Sequence, residues 1–435
     1  MGIVKKLRGV FYGWWMILAA IIFNMYIGGI TVYGFTAFYT PMRLELGSTQ
    51  TEMAFASSLR SIEGGIAMPL VGLFIDRIGV RKCIIIGVII LCLSFLLMSR
   101  VDTVTAFYVA FLIMALGNTM GGGLAMYSAI TNWFRRRRSR ALGILSAGFG
   151  ISGIMTPLLV YLIDNYGWRN TLFGLALSFI VIGIPLALVI RHRPEPYGML
   201  PDGDKPKNQA ELEASKKINV GRFSRYAGSD DSGLTLKECI RTRNFWLLFL
   251  FNGFTSGAQA AINVLAMPHL LDANIAEGIA ALTIMGITMS SLTGRLGFSA
   301  LGDTHDKKKL LMIAVALKAV GLFIFANIRS PWMIIPFLAF YGPGFGGPIP
   351  LLFAIQADCF GTKNFASIRG FMAIASTTFG IAAPVLAGWM RDTQGSFSLA
   401  FIIFSVMVSL AIPVIMMVKL PSREKATLVN EGATR

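Results

Sequence analysis

Long, continuously apolar runs alternate with short polar and basic breaks along most of the chain. A helix needs ~20 mostly apolar residues to cross ~30 Å of hydrocarbon at ~1.5 Å per residue. By that rule the pattern predicts twelve spans, at 14–38, 53–75, 83–99, 105–133, 141–163, 171–190, 244–270, 278–301, 310–328, 331–357, 370–390 and 397–418. The runs do not alternate and far exceed the ~10 residues of a barrel strand, which rejects a β-barrel. One polar, charged stretch interrupts the series after the sixth span. It divides the chain into an N-terminal six-helix bundle (1–190), a cytoplasmic linker (191–243), a C-terminal six-helix bundle (244–418) and a cytoplasmic tail (419–435). The expected fold is an all-α membrane protein of twelve transmembrane helices.

The two halves repeat. Asp76 matches Asp303, Gly143 matches Gly370, Pro157 matches Pro384, Phe134 matches Phe360 and Asp164 matches Asp392, at offsets of 226 to 228 residues. Five landmarks in register point to two pseudo-symmetric bundles. Such a repeat places a site near mid-membrane at the interface, with one half rocking against the other.

Composition agrees. Of 435 residues, 55% are hydrophobic and 14% charged, and the mean hydropathy is +0.66. A soluble chain would be about a quarter charged, so an ordinary soluble enzyme is excluded, and the apolar content excludes disorder. The formal net charge of +17 is distributed by side. With the N-terminus inside, the outer segments hold Arg43, Arg100, Arg169, Arg329 and Arg391, and the spans hold Arg60, Arg295 and Lys318; every other Lys or Arg of the 39 falls on the inner side. That asymmetry predicts cytoplasmic N- and C-termini in a multi-pass protein of the cytoplasmic (inner) membrane. It also argues against nucleic acid, because the charge forms no single stripe. Lys5, Lys6 and Arg8 lead into the first span without a small-residue cleavage site, so that span is expected to be retained. The four cysteines have no metal spacing and read as reduced filler.

After the second span the chain carries Gly72, Asp76, Arg77, Gly79, Arg81 and Lys82. This resembles the G-x-x-x-D-R-x-G-x-R-K signature of the major facilitator superfamily. Gly79 suits a tight turn between helices, and Asp76 can face a helix N-terminus or a cation. The second copy keeps Asp303 and Lys307 to Lys309 but lacks the glycine. Asn132-Trp133-Phe134, Gly167-Trp168-Arg169, the stretch from Pro194 to Gly203, Phe245-Trp246 and Ala357-Asp358-Cys359-Phe360-Gly361 resemble the oxalate/formate antiporter and monocarboxylate transporter branch. The resemblance implies a secondary carrier of a small organic acid, without cofactor, coupled to a proton or a counter-anion and monomeric. It also implies that the Asp76 loop is a conformational latch.

Charges inside spans cost ~2.5–3.5 kcal/mol each, so each is a functional candidate. Arg295 lies about 12 Å from the cytoplasmic end of span eight. Thr288, Ser291 and Ser299 fall on its face as a polar stripe suited to a wet cavity. A guanidinium there can grip a carboxylate with two parallel hydrogen bonds. The alternative is an arginine paired to helix carbonyls or to an acid on another span. The resemblance makes Arg295 the branch's substrate arginine and Tyr127 its span-four tyrosine. Span eleven reads as lacking a cation, which disfavours a small dianion such as oxalate.

Arg60 and Glu63 share a face of span two and can pair, either as an outer gate or coupling device or as a structural ion pair. Neutral candidates for the site are Asn24, Thr31 and Tyr33 on span one, with Asn118 on span four. Span seven adds Asn252, Ser256, Gln259 and Asn263 along one face. Lys318 reads as a lipid-facing residue that snorkels, His269 as a satisfied surface group, and Arg135 to Arg138 as an anchor for anionic membrane lipid. No Ser/His/Asp set or paired carboxylates suggest an enzyme. The competing readings are an efflux carrier for amphipathic compounds and a carboxylate sensor that does not cycle.

Overall fold

The computed structural model describes residues 11–48, 50–204 and 234–419. Lys5, Lys6 and Arg8, most of the linker and the tail beyond 419 lie outside the described residues.

Among the described residues the apolar runs fold into twelve helical rods, several of them bent. The first, α1, runs through Tyr12–Gly28, a π-helical turn at Gly29–Tyr33, and Thr36–Glu45. It is followed by α2 (Gln50–Ile78) and α3 (Val80–Met98). The fourth, α4, comprises Val104–Gly121 and Gly123–Trp133, and α5 comprises Arg138–Ile151 and Met155–Tyr166. The sixth, α6, extends from Trp168–Ser178 to Ile184–Val189 through another π turn. The second half holds α7 (Arg243–Asp272), α8 (Glu277–Leu301) and α9 (Lys307–Ala326). It ends with α10 (Ile334–Gly346 and Pro348–Phe360), α11 (Phe365–Gln394) and α12 (Ser398–Met416). The breaks in α4 and α10 fall at Gly122 and at Gly347-Pro348, where glycine and proline interrupt the backbone ladder.

Eleven segments among the described residues are long and apolar enough to cross a membrane. The rod α2 is not among them; it carries Glu52, Arg60, Glu63, Asp76 and Arg77. Buried side chains form two cores. One is built almost wholly from α1 to α6, and the other from the segment before α7 through to the end of α12.

The halves meet along two matching seams, α2 on α11 and α5 on α8. Glycines let the backbones touch. A Cβ on Gly72 would collide with the Ala366 carbonyl of α11, and one on Gly370 would collide with the Met68 carbonyl of α2. In the other seam a Cβ on Gly143 would strike Ser299 and come within 2.6 Å of the Arg295 carbonyl.

At one end of each seam a carboxylate from one half caps a helix of the other. Asp76 Oδ2 accepts from the Ser367 amide at 2.8 Å, in the first turn of α11, and from the Ser367 hydroxyl. Asp303 Oδ1 accepts from the Ser139 amide at 2.9 Å, in the first turn of α5. Burial pushes the Asp303 carboxyl above the usual aspartate range, against the pull of the Arg140 and Ser139 amides. Each cap sets a negative charge against the exposed N–H groups and positive dipole end of a helix, worth up to about 2 kcal/mol when partly buried.

The remaining signature residues stay within the first half. Gly79 takes φ 87° between α2 and α3. Arg81 donates to the Leu188 and Ile190 carbonyls at 2.7 and 3.0 Å, at the end of α6. Arg77 and Lys82 are exposed.

The Asp76 cap gives a direct expectation. Asp76→Asn removes a charge worth about 1–2 kcal/mol. Hydrogen exchange of the protein in lipid nanodiscs should then show amides of 366–369 opening about 5–30-fold faster, with those of 139–142 unchanged. Asp303→Asn should give the mirror result.

Candidate substrate site

The α5–α8 seam carries Arg295. It is 8% exposed and spans the interface: Nη1 donates to the Ser146 carbonyl of α5 at 2.7 Å. Its guanidinium carbon lies 5.5 Å from the ring of Phe345 on α10. The contact of Nη1 is thus the helix carbonyl that the sequence admitted as an alternative. Two members of the polar stripe beside it, Ser291 and Ser299, are buried and do not line a cavity. Ser291 is fully buried, donates to the Thr288 carbonyl at 2.7 Å, and packs against Gly346 of α10. Ser299 donates to the Leu296 carbonyl and meets Gly143. Short serines bond their own helix and leave room for backbone approach, so Ser291 offers no free hydroxyl to a substrate in this state.

A second cation stands at the interface, and sequence reasoning missed it. Arg369 lies in the second turn of α11, which begins at Phe365 and not near 370. Its guanidinium carbon is 4.4 Å from the ring of Phe353 on α10, and Nη1 donates to Asn252 Oδ1 on α7 at 3.3 Å. Tyr127 of α4 stacks on the same Phe353, with centroids 4.2 Å apart and planes 11° from parallel. Tyr127 lies within electrostatic reach of both Arg295 and Arg369. Four helices from both halves therefore bring two guanidinium groups toward one phenol. The expectation that span eleven lacks a cation is overturned. The signal was present in the repeat: α5 starts five residues before Gly143, so α11 should start five before its match, Gly370. The apolar-run rule stops at the charge instead.

The other candidates are held elsewhere. Thr31 donates to the Ile27 carbonyl and, at 3.0 Å, to Asn118 Oδ1. Asn24 is buried, and its Nδ2 has no hydrogen-bond partner among the described residues. The side chain of Tyr33 lies outside the described residues. Arg60 and Glu63 form no ion pair with each other. Arg60 donates to the Thr31 carbonyl at 3.0 Å, while Glu63 accepts from the Thr119 hydroxyl at 3.4 Å. Three-residue spacing puts them on one side of α2, but neighbouring α1 and α4 offer each a different partner.

In the second half, Gln259 accepts from the Tyr341 hydroxyl at 2.9 Å and donates to Asn263 at 2.9 Å. Asn252 and Ser256 both bond Ser376 of α11. Lys318 does not snorkel. It is 3% exposed and donates to the Thr255 carbonyl at 2.9 Å, inside the second bundle. His269 is satisfied as expected, by the Phe325 carbonyl at 2.8 Å, but is buried and not on the surface. The basic run is not free for lipid throughout. Arg138 pairs with Asp358 at 2.9 Å, which Lys307 also joins, and Arg136 pairs with Asp202 and Asp204. These acids lie in the linker and α10, segments the run rule could not bring together.

Comparison with known proteins fits this architecture. The profile of the Major Facilitator Superfamily matches residues 16–298 and 249–435. The oxalate:formate antiporter of Oxalobacter formigenes is 26% identical over 435 residues, covering 95% of this chain and 96% of that one. Monocarboxylate transporter 13 of Rattus norvegicus is 22% identical over 403 residues, covering 90% of this chain and 85% of its own. Among solved structures, a major facilitator proton:xylose symporter superposes with a TM-score of 0.69 at 14% identity, covering 94% of this chain and 96% of the other. These relatives are transporters and not enzymes. The chain belongs to the major facilitator superfamily and is a membrane transporter.

Proposed function

We propose that the protein carries a small organic carboxylate by alternating access, with the anion held between Arg295 and Arg369 beside Tyr127. The observation that carries this reading is that Tyr127, stacked on the Phe353 ring that Arg369 also covers, has both guanidiniums within electrostatic reach where the halves meet. A guanidinium fork matches a carboxylate in shape and charge, and a desolvated pair is stronger than one in water. The names of the relatives, which include monocarboxylate transporters and an oxalate:formate antiporter, support the same substrate class. Two cations remove the sequence argument against a dianion. We therefore read the cargo as a small mono- or dicarboxylate.

In this reading the two six-helix halves rock about the α2–α11 and α5–α8 seams. The Asp76 and Asp303 caps stabilise the state in which that end is closed. Because Arg295 bonds the Ser146 carbonyl across a seam, opening the seam releases donors toward water and substrate. Arg60 and Glu63 tie α2 to α1 and α4, which suits a role in gating or coupling beyond the substrate itself. A gradient of protons or of a counter-anion supplies the energy. The basic inner segments support cytoplasmic termini in a cytoplasmic membrane.

The test is a thermal-shift and binding screen of the purified protein with formate, lactate, pyruvate, oxalate and succinate, beside an amine and a sugar. Carboxylates should stabilise the protein and the others should not. Arg295→Gln should weaken every acid by at least about tenfold, the loss of a charge-assisted hydrogen bond of about 1.5–3 kcal/mol. A folded Arg295→Gln protein with unchanged affinity would overturn the reading. Arg369→Gln should weaken oxalate and succinate more than lactate, because a second carboxylate has most to lose from the second cation. Equal losses would instead mean that both arginines grip one carboxylate.

A further inference from the structure

Lys318 is a charged group for which neither the fold nor the proposed site has a use. Glycine packing brings it inside: a Cβ on Gly344 of α10 would lie 2.7 Å from the Lys318 Cα and 2.9 Å from the Ala314 carbonyl. The side chain points into the second bundle, between α7 and α10. Its Nζ donates to the Thr255 carbonyl at 2.9 Å and lies 3.5 Å from Gln259 Oε1. The same Gln259 oxygen already accepts from the Tyr341 hydroxyl. The rings of Tyr341 and Phe345 face the nitrogen at 6.0 and 5.7 Å. Among the described residues no carboxylate stands within 4.0 Å of it. The charged groups that face this position are few. The rod α7 contributes amide, hydroxyl and carbonyl groups, α12 has no titratable residue, α10 contributes the Tyr341 phenol, and α8 contributes Arg295 beyond Phe345.

That last residue connects the lysine to the proposed site. Phe345 has the Arg295 guanidinium 5.5 Å from its centroid and the Lys318 nitrogen at 5.7 Å. Two positive groups beside one half-buried ring repel each other through a medium that screens poorly. An ammonium without a counter-charge is costly to bury. A carboxylate bound to Arg295 offsets that positive charge and so relieves the repulsion at Lys318. Proton occupancy of Lys318 and anion occupancy of Arg295 must then favour one another, by the same factor in both directions.

We propose that Lys318 is the proton-binding residue that couples to the carboxylate: its Nζ takes a proton from water as the anion binds and returns it to water as the anion leaves. The protein would thereby carry acid equivalents, anion and proton together. This rests on the carboxylate reading and goes beyond it by naming the residue that holds the proton. Glu63, the acid that the sequence offers for coupling, lies on α2 in the first half and accepts from the Thr119 hydroxyl.

The experiment measures proton uptake and affinity for formate, lactate, pyruvate and oxalate, on the full chain in lipid nanodiscs, across pH 6 to about 9. The wild type should take up protons on binding. Its affinity should weaken with rising pH, by as much as about tenfold per unit. Lys318→Met and Lys318→Arg should each bind without proton uptake and with a flat pH profile, since one lacks the group and the other keeps its charge. A merely structural role for Lys318 would change stability and leave the profile in place. Proton uptake retained in a folded variant, or absent in the wild type while an acid binds, overturns this inference alone. If none of the four acids binds the wild type, the carboxylate reading falls and this inference with it.

Discussion

The structure depends on a carboxylate from each half closing onto a helix N-terminus of the other. Asp76 meets the first turn of α11, and Asp303 meets the first turn of α5. The two acids are 227 residues apart and the two capped serines 228. One interaction has been used twice, in opposite directions across the pseudo-symmetric chain. Each cap is worth only about 1–2 kcal/mol, which suits an interaction that is made and broken in the proposed cycle. A stronger clasp would hold the protein in one state. A weaker one would not offset the separation of the glycine-lined seams.

Those seams explain why the charges sit where they do. With Gly72, Gly143 and Gly370 at the crossings, backbone lies on backbone, and long side chains can extend past the crossing into the interface. Arg295 reaches a carbonyl of α5, and Arg369 reaches Asn252 and the Phe353 face. Neutral acceptors and aromatic faces compensate a guanidinium less fully than an anion does. In the reading proposed above, a bound carboxylate adds to the compensation of both guanidiniums.

Much of this is legible in the sequence. The apolar runs correspond to the twelve rods with ends shifted by a few residues, and the repeat implies matching seams. The loop left Asp76 a helix N-terminus or a cation as partner, and it meets the first turn of α11. What fails does so for identifiable reasons. Arg369 escapes because the apolar-run rule ends a span at its first charge, although a helix can carry a charge inside its second turn when a facing helix receives it. Lys318 reads as lipid-facing because the family resemblance sets span nine against lipid and the span holds no acid, whereas its partners, Thr255 and Gln259, lie on α7. Ser291 and the Arg60–Glu63 pair are read from spacing along one helix. Their partners are decided instead by the Thr288 carbonyl and by neighbouring α1 and α4. Periodicity describes which residues share a face, but not which neighbour that face meets.

The proposed site sets a carboxylate against these two guanidiniums at the seam. Solid-state NMR gives the most direct measurement: dipolar recoupling between a carboxyl-¹³C-labelled acid and ¹⁵N-labelled arginine side chains in the lipid-embedded protein. The account predicts a carboxyl carbon within about 4 Å of guanidinium nitrogens, and the disappearance of that coupling when Arg295 is replaced by glutamine. A bound acid with no arginine nitrogen near its carboxyl group would contradict it.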